Sequence, residues 1–76
     1  MTPEDHLAKI DAVAARPLLS NPDDRAEFYR RLIAQFTRQI NRARKGLPTT
    51  YTPEQLRFLI SSLESRYETA RAERPL

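Results

Sequence analysis

Residues 23–45 carry apolar side chains at the spacing that places them on one face of an α-helix. The apolar residues recur at i, i+3, i+4, i+7, i+11 and i+14, and they are Tyr29, Leu32, Ile33, Phe36, Ile40 and Ala43. Because an α-helix turns once in about 3.6 residues, this spacing puts all of them on one side. Between Phe28 and Lys45 there are six basic residues and no acidic one. The segment therefore predicts a helix with one apolar face and one electropositive face.

A second segment repeats the same apolar spacing 27 residues later, at Leu56, Leu59, Ile60, Leu63, Tyr67 and Ala70. Between the two segments lies Gly46, placed where a left-handed residue commonly ends a helix. Residues 46–52 are enough to join two antiparallel helices. We therefore predict a long helical hairpin in which the numbers of facing residues add to 99, so that Phe36 meets Leu63.

Three helix starts share one pattern, in which a capping side chain precedes a proline and then acidic or amide residues. The pattern occurs at residues 2–5, 21–24 and 52–55. Pro17 disfavours helical geometry in the residue before it and ends the first helix. The sequence thus predicts an all-α fold with helices over about 3–15, 22–45 and 53–72.

With 76 residues and no cysteine, the chain forms one small domain over 1–76 that has no disulfide to support it. Two helices alone leave much of both apolar faces in water. The shorter N-terminal helix must therefore pack on the hairpin, or a second copy must complete a dimeric bundle, and we expect a homodimer. Leu18 and Leu19 are expected to plug one end of the core.

Residues suited to catalysis are scarce. His6 is the single histidine, and we expect it to be exposed to solvent. There is no cysteine nucleophile, no glycine-rich phosphate loop and no cluster at metal-ligand spacing. We therefore expect neither an enzyme nor a bound cofactor or metal. No apolar run is long enough to span a membrane, and we expect a cytoplasmic protein.

Two surfaces are candidates for binding a partner. The first is the basic face of the second helix, with Arg31, Arg38, Arg42 and Lys45. It is either simply solvated or contacts an acidic protein or nucleic acid. The second is the back of the third helix, where small residues permit close approach of the first helix, a second subunit or another protein. Its candidate members are Phe58, Ser61 and Ser65, and Phe28 is a similar outlier on the second helix.

The sequence favours a non-enzymatic protein-interaction module, such as a small adaptor, a co-chaperone or an inhibitor of a larger protein. The alternative is a dimeric helical hairpin that binds RNA or DNA through the basic face. The alternative ranks second because no aromatic residue interleaves with these cations to stack on bases. The sequence does not identify the partner or the biological process.

Overall fold

In a computed structural model that describes residues 2–73, the chain forms three α-helices and one 3₁₀ turn. The helices are α1 (Pro3–Ala14), α2 (Pro22–Arg44) and α3 (Pro53–Ala72), and the 3₁₀ turn covers Pro17–Leu19. These bounds agree with the predicted helices to within one residue at each end. The prediction of an all-α fold built on a long hairpin of α2 and α3 is confirmed.

Each helix begins at its predicted start because a side chain satisfies backbone N–H groups that have no partner within the helix. The side chains of Thr2 and Asn21 cap α1 and α2 in this way. At α3 the bonding is reciprocal. The Gln55 N–H donates to Thr52 Oγ1 at 3.2 Å, and the Thr52 N–H donates to Gln55 Oε1 at 3.0 Å.

The turn of the hairpin depends on Gly46. Its φ of +77° is a left-handed conformation that closes α2. The Gly46 N–H donates to the Ala43 carbonyl, and the Leu47 N–H donates to the Arg42 carbonyl, both at 3.0 Å. This pair of bonds is a Schellman motif, which reverses the chain toward α3.

The core lies in the seam between α2 and α3. Leu56, Leu59 and Leu63 of α3 have no exposed surface, and Phe36 of α2 is 3% exposed. The other buried apolar residues are Leu7, Ile10, Ala14, Ala26, Tyr29, Tyr51 and Ala70. Burial of each large apolar side chain contributes about 1.5–3 kcal/mol, so this seam is the main source of stability.

An ion pair at the open end of the hairpin reports its register. Arg25 Nη2 donates to Glu73 Oε2 at 2.6 Å, and the numbers of these residues add to 98. Tyr29 and Ala70, whose numbers add to 99, line the same surface cleft. Both observations place the end of α3 beside the beginning of α2, as an antiparallel hairpin requires.

Helix α1 lies along one side of the seam and touches both hairpin helices. His6 packs edge-on against Phe36 of α2, with ring centroids 5.5 Å apart. Asp11 accepts hydrogen bonds from Arg66 of α3 at 2.7 and 2.9 Å. Pro3 lies beside the beginning of α3 while Asp11 reaches its second half, so α1 runs parallel to α3. The N-terminal helix therefore closes the core on this side.

Two expectations for single residues are wrong. Leu18 is 87% exposed and plugs nothing, because the tight 3₁₀ turn points its side chain away from the core. His6 is half-buried, not exposed, and its Nδ1 lies 2.9 Å from the hydroxyl of Tyr51. Tyr51 itself is a core residue that the helical pattern did not predict, since it lies in the loop before α3.

We predict that Gly46→Ala lowers the free energy of unfolding by about 1–2 kcal/mol, the cost of a left-handed conformation in a residue with a Cβ. Apart from Gly46 itself and its two chain neighbours, no heavy atom of residues 2–73 lies within 4 Å of the position that the new Cβ would occupy, so the cost is backbone strain without a steric clash. Urea unfolding followed by circular dichroism measures it. Gly46→Asn is the matched control and should cost less, because asparagine tolerates this conformation. An equal loss in both variants would contradict the backbone explanation.

Candidate protein-interaction surfaces

The basic face of α2 is exposed along its length, but its cations differ in their surroundings. All four predicted members are exposed: Arg31, Arg38, Arg42 and Lys45. Glu27 accepts hydrogen bonds from Arg30 at 2.8 Å and from Arg31 at 3.3 Å. The bond from Arg30 is the main reason that the pKa of the Glu27 carboxyl lies below its ordinary value. The beginning of the face is therefore partly neutralised within the chain.

The end of α2 holds cations without such a partner. Within residues 2–73, no ion pair involves four exposed residues that we call the basic tip: Arg38, Arg42, Arg44 and Lys45. The helix dipole favours positive charge in the last turn of a helix. Arg38 lies six residues before the end of α2, beyond the reach of this effect. The basic tip is thus an electropositive surface that attracts anionic groups.

A cleft of about 440 Å³ opens beside the basic tip, between the end of α2 and the loop that follows it. Its lining residues are Gln39, Arg42, Pro48, Thr49 and Thr50. The Thr49 hydroxyl donates to the Tyr51 carbonyl at 2.6 Å, which holds the loop wall in place. Within residues 2–73, the Gln39 Oε1 atom is buried and accepts no hydrogen bond. The cleft is therefore lined by a guanidinium that has no ion pair in this part of the chain and by a glutamine whose acceptor atom is buried.

Leu47 adds an apolar contact point next to this cleft. In a Schellman motif, the residue in its position usually packs on an apolar side chain one turn earlier in the helix. Here that earlier residue is Arg42, and Leu47 remains 48% exposed. The hairpin turn therefore presents a large apolar side chain two residues after the last cation of the basic tip.

Phe58 lies on a surface that carries negative charge, in contrast to the basic tip. It is 42% exposed and borders a cleft of about 350 Å³ between the beginnings of α1 and α3. Glu4 and Glu54 line the same cleft. Phe58 and the basic tip are therefore parts of two different surfaces.

The small-residue back of α3 is divided by α1. Helix α1 packs on the flank of α3 that bears Arg66, where Asp11 accepts a hydrogen bond from Arg66. Ser62 on that flank is half-buried. Ser61 and Ser65 remain exposed. Helix α1 is therefore a partial occupant of this face, and the rest stays open in the single chain.

Phe28 packs within its own chain. It is half-buried, and its ring lies 5.6 Å from that of Tyr29. Leu19, Glu27 and Arg31 line one small cleft with it. These neighbours account for an apolar side chain at the edge of α2.

Within residues 2–73, the structure forms neither a membrane-spanning helix nor a metal-binding group of side chains. None of the helices within residues 2–73 has both the length and the hydrophobicity to cross a bilayer. In the same part of the chain, no group of three or more His, Cys, Asp or Glu side chains is placed to hold a metal ion.

No protein-family model, no curated protein and no solved structure matches this chain. The chemistry of its surfaces is therefore the guide to its function.

Sequence patterns missed the contacts that attach α1 to the hairpin. Asp11 and Arg66 are 55 residues apart, and neither belongs to an apolar pattern or a charge cluster. His6 and Tyr51 are separated by 45 residues. No local signal links such distant positions, so only the folded chain reveals these pairs.

We predict that Asp11→Asn lowers the free energy of unfolding by about 0.5–1 kcal/mol at neutral pH, a small value because the pair is partly exposed. The hydrogen bonds from Arg66 lower the pKa of the Asp11 carboxyl below 3.8. A depressed pKa stabilises the fold at pH values above about 4 and ceases to do so as the pH falls through the folded-state value. The difference between wild type and variant should therefore disappear at strongly acidic pH.

Urea unfolding at a series of pH values measures this difference. Arg66→Gln should have a similar effect at neutral pH, and the double variant should lose little more than either single one. Additive losses would mean that the two residues do not act as a pair.

Proposed function

We propose that this chain is a non-enzymatic, cytoplasmic protein-interaction module, an adaptor, co-chaperone or inhibitor, that binds an acidic segment of a larger protein through the basic tip. The observation that supports it is the group of exposed cations at the end of α2, which have no acidic partner within residues 2–73. Beside them lie a cleft and an exposed leucine. Charge, concavity and an apolar contact point thus occur together.

Each part of this surface has a role in binding a peptide. Arg42 at the wall of the cleft offers a planar guanidinium, which binds a carboxylate through two parallel hydrogen bonds. Gln39 supplies an acceptor for a peptide N–H once its carboxamide turns toward the ligand. Leu47 buries against an apolar residue of the partner. We expect the preferred ligand to alternate acidic and apolar side chains.

The same features favour protein over nucleic acid. Binding of single strands generally uses aromatic side chains on which bases stack. Phe58 is the exposed phenylalanine, and it lies near Glu4 and Glu54, away from the basic tip. The net charge of +3 is also modest for a nucleic-acid-binding domain.

We also propose that the chain is a homodimer. The hairpin leaves several apolar residues of α2 and α3 half-buried on the side away from α1. Self-association would remove this surface from water.

We predict that Arg38→Gln/Arg42→Gln weakens binding of a fluorescent peptide of alternating glutamate and leucine by about tenfold or more. Glutamine keeps the helix propensity and removes both charges. Fluorescence anisotropy at several salt concentrations measures the affinity, which should fall as salt rises. The matched control is Lys9→Gln/Arg16→Gln, which removes two exposed charges elsewhere and should change the affinity less than about twofold.

Unchanged peptide binding in the Arg38→Gln/Arg42→Gln variant would refute the proposed site. A single-stranded RNA of equal length serves as the competing ligand. If the RNA binds more tightly than the peptide and is lost in this variant, with a log–log salt slope near −0.7 per phosphate contact, nucleic-acid binding replaces the proposal.

A further inference from the structure

The hairpin has an apolar side that α1 does not cover. Its residues are half-buried although they pack against the core, and we call them the open face: Ile33, Ile40, Ile60 and Tyr67. Three are isoleucines, which solvent-facing helix positions seldom carry. The open face is therefore the part of the core that a single chain leaves incomplete.

Geometry places the open face away from α1. On α3, Arg66 marks the flank that contacts α1. Since each residue advances about 100° around a helix, Tyr67 and Ile60 lie about 100–120° from that flank. On α2, Arg30 lies on the same side as Tyr67. The pKa of Arg30 is raised mainly by its hydrogen bond to Glu27, and the Tyr67 hydroxyl contributes further.

Two charges on the α3 edge of this face have no partner in the described chain. Arg57 and Glu64 are exposed, and neither forms an ion pair within residues 2–73. They stand three residues before and four residues after Ile60, on the same side of the helix. They are about 10 Å apart along the helix, too far to pair with each other. Glu68 and Arg71, farther along, already pair at 3.9 Å.

We propose that a second copy of this chain packs on the open face, with the two α3 helices antiparallel and the two-fold axis near Ile60. This deepens the homodimer of the proposed function by naming its surface. In this arrangement Arg57 lies opposite Glu64 of the second copy, and Glu64 lies opposite Arg57 of the second copy. When a second α3 runs in the opposite direction, each of these two charges therefore faces the opposite charge.

Charge also disfavours the other two-fold arrangement at one pair of positions. If α3 packed on α2 of the second copy, the hairpin register would bring Arg57 beside the end of that α2. Arg44 of the second copy projects there, and it forms no ion pair within residues 2–73. Like charges would then meet twice. Antiparallel contact between the α3 helices avoids this repulsion.

The size of the face suits a reversible dimer. With the two-fold axis near Ile60, the α3 helices overlap over about 24 Å and the α2 helices over about 18 Å. At about 10 Å of width each, they cover about 420 Å² per copy, or about 840 Å² in total, which is the size of a weak, transient interface. We therefore expect a reversible dimer that dissociates in the high micromolar range. The basic tip remains accessible in the dimer because most of its charges project from the side of α2 opposite the seam.

Charge reversal at the two edge positions tests the arrangement by sedimentation equilibrium across micromolar concentrations. Arg57→Glu puts two glutamates opposite each other and should raise the dissociation constant about tenfold. Glu64→Arg should do the same with two arginines. Lys9→Glu is the matched control, because it makes the same charge change on the outside of α1, and it should leave dissociation within about twofold of wild type.

Restoration is the decisive part of the experiment. An equimolar mixture of Arg57→Glu and Glu64→Arg chains regains both opposite-charge contacts, as does the double variant Arg57→Glu/Glu64→Arg. Both should recover a dissociation constant within about threefold of wild type. A wild-type chain that stays monomeric, or a mixture that stays as weak as its components, would overturn the inference.

Peptide binding separates this inference from the proposed function. If the Arg57→Glu chain dimerises more weakly but still binds the acidic peptide, the result supports both the dimer and the proposed function. Loss of peptide binding in the Arg38→Gln/Arg42→Gln variant with dimerisation intact assigns the two activities to different faces. Dimerisation with the predicted restoration, but without any peptide binding by wild type, would support the dimer and refute only the proposed binding of an acidic peptide.

Discussion

Everything else in this molecule depends on the packing of α2 against α3. Three leucines of α3 are completely removed from water there, and Phe36 fills the facing side. Such burial has to offset the conformational entropy of ordering two helices. Gly46 makes the seam possible, because its left-handed backbone reverses the chain within a few residues. The capping box at Thr52 then restarts the helix at the right place.

Helix α1 is attached by apolar burial together with polar contacts. Leu7 and Ile10 are buried in the core, and two polar contacts tie other residues of α1 to the hairpin. The bidentate pair between Asp11 and Arg66 sets its position along α3, and the bond between His6 and Tyr51 sets it near the hairpin turn. Because α1 covers one side of the seam only, the opposite side retains half-buried isoleucines. The way in which α1 packs thus decides which surface remains for a partner.

The charged residues at the two ends of the hairpin differ in whether they form ion pairs within residues 2–73. Near the open end of the hairpin, Arg25 meets Glu73, and Glu27 holds Arg30 and Arg31. Toward the turn the cations of α2 have no such contacts within residues 2–73. Ion pairs inside a chain reduce its attraction for other molecules, whereas unpaired charge keeps that attraction. The turn end is therefore the stronger candidate for binding, and the proposed function follows from this difference.

The sequence by itself determined the helices, their ends and the hairpin, since these depend on apolar spacing, caps and one glycine that act over a few residues. It also indicated the basic face as a candidate site. Only the tertiary structure decided that Asp11 pairs with Arg66, that Tyr51 joins the core, and that α1 leaves Ile60 half-buried. These outcomes depend on contacts between residues on different helices or at different depths. Local sequence patterns do not specify such contacts, because their energies arise only when the chain is folded.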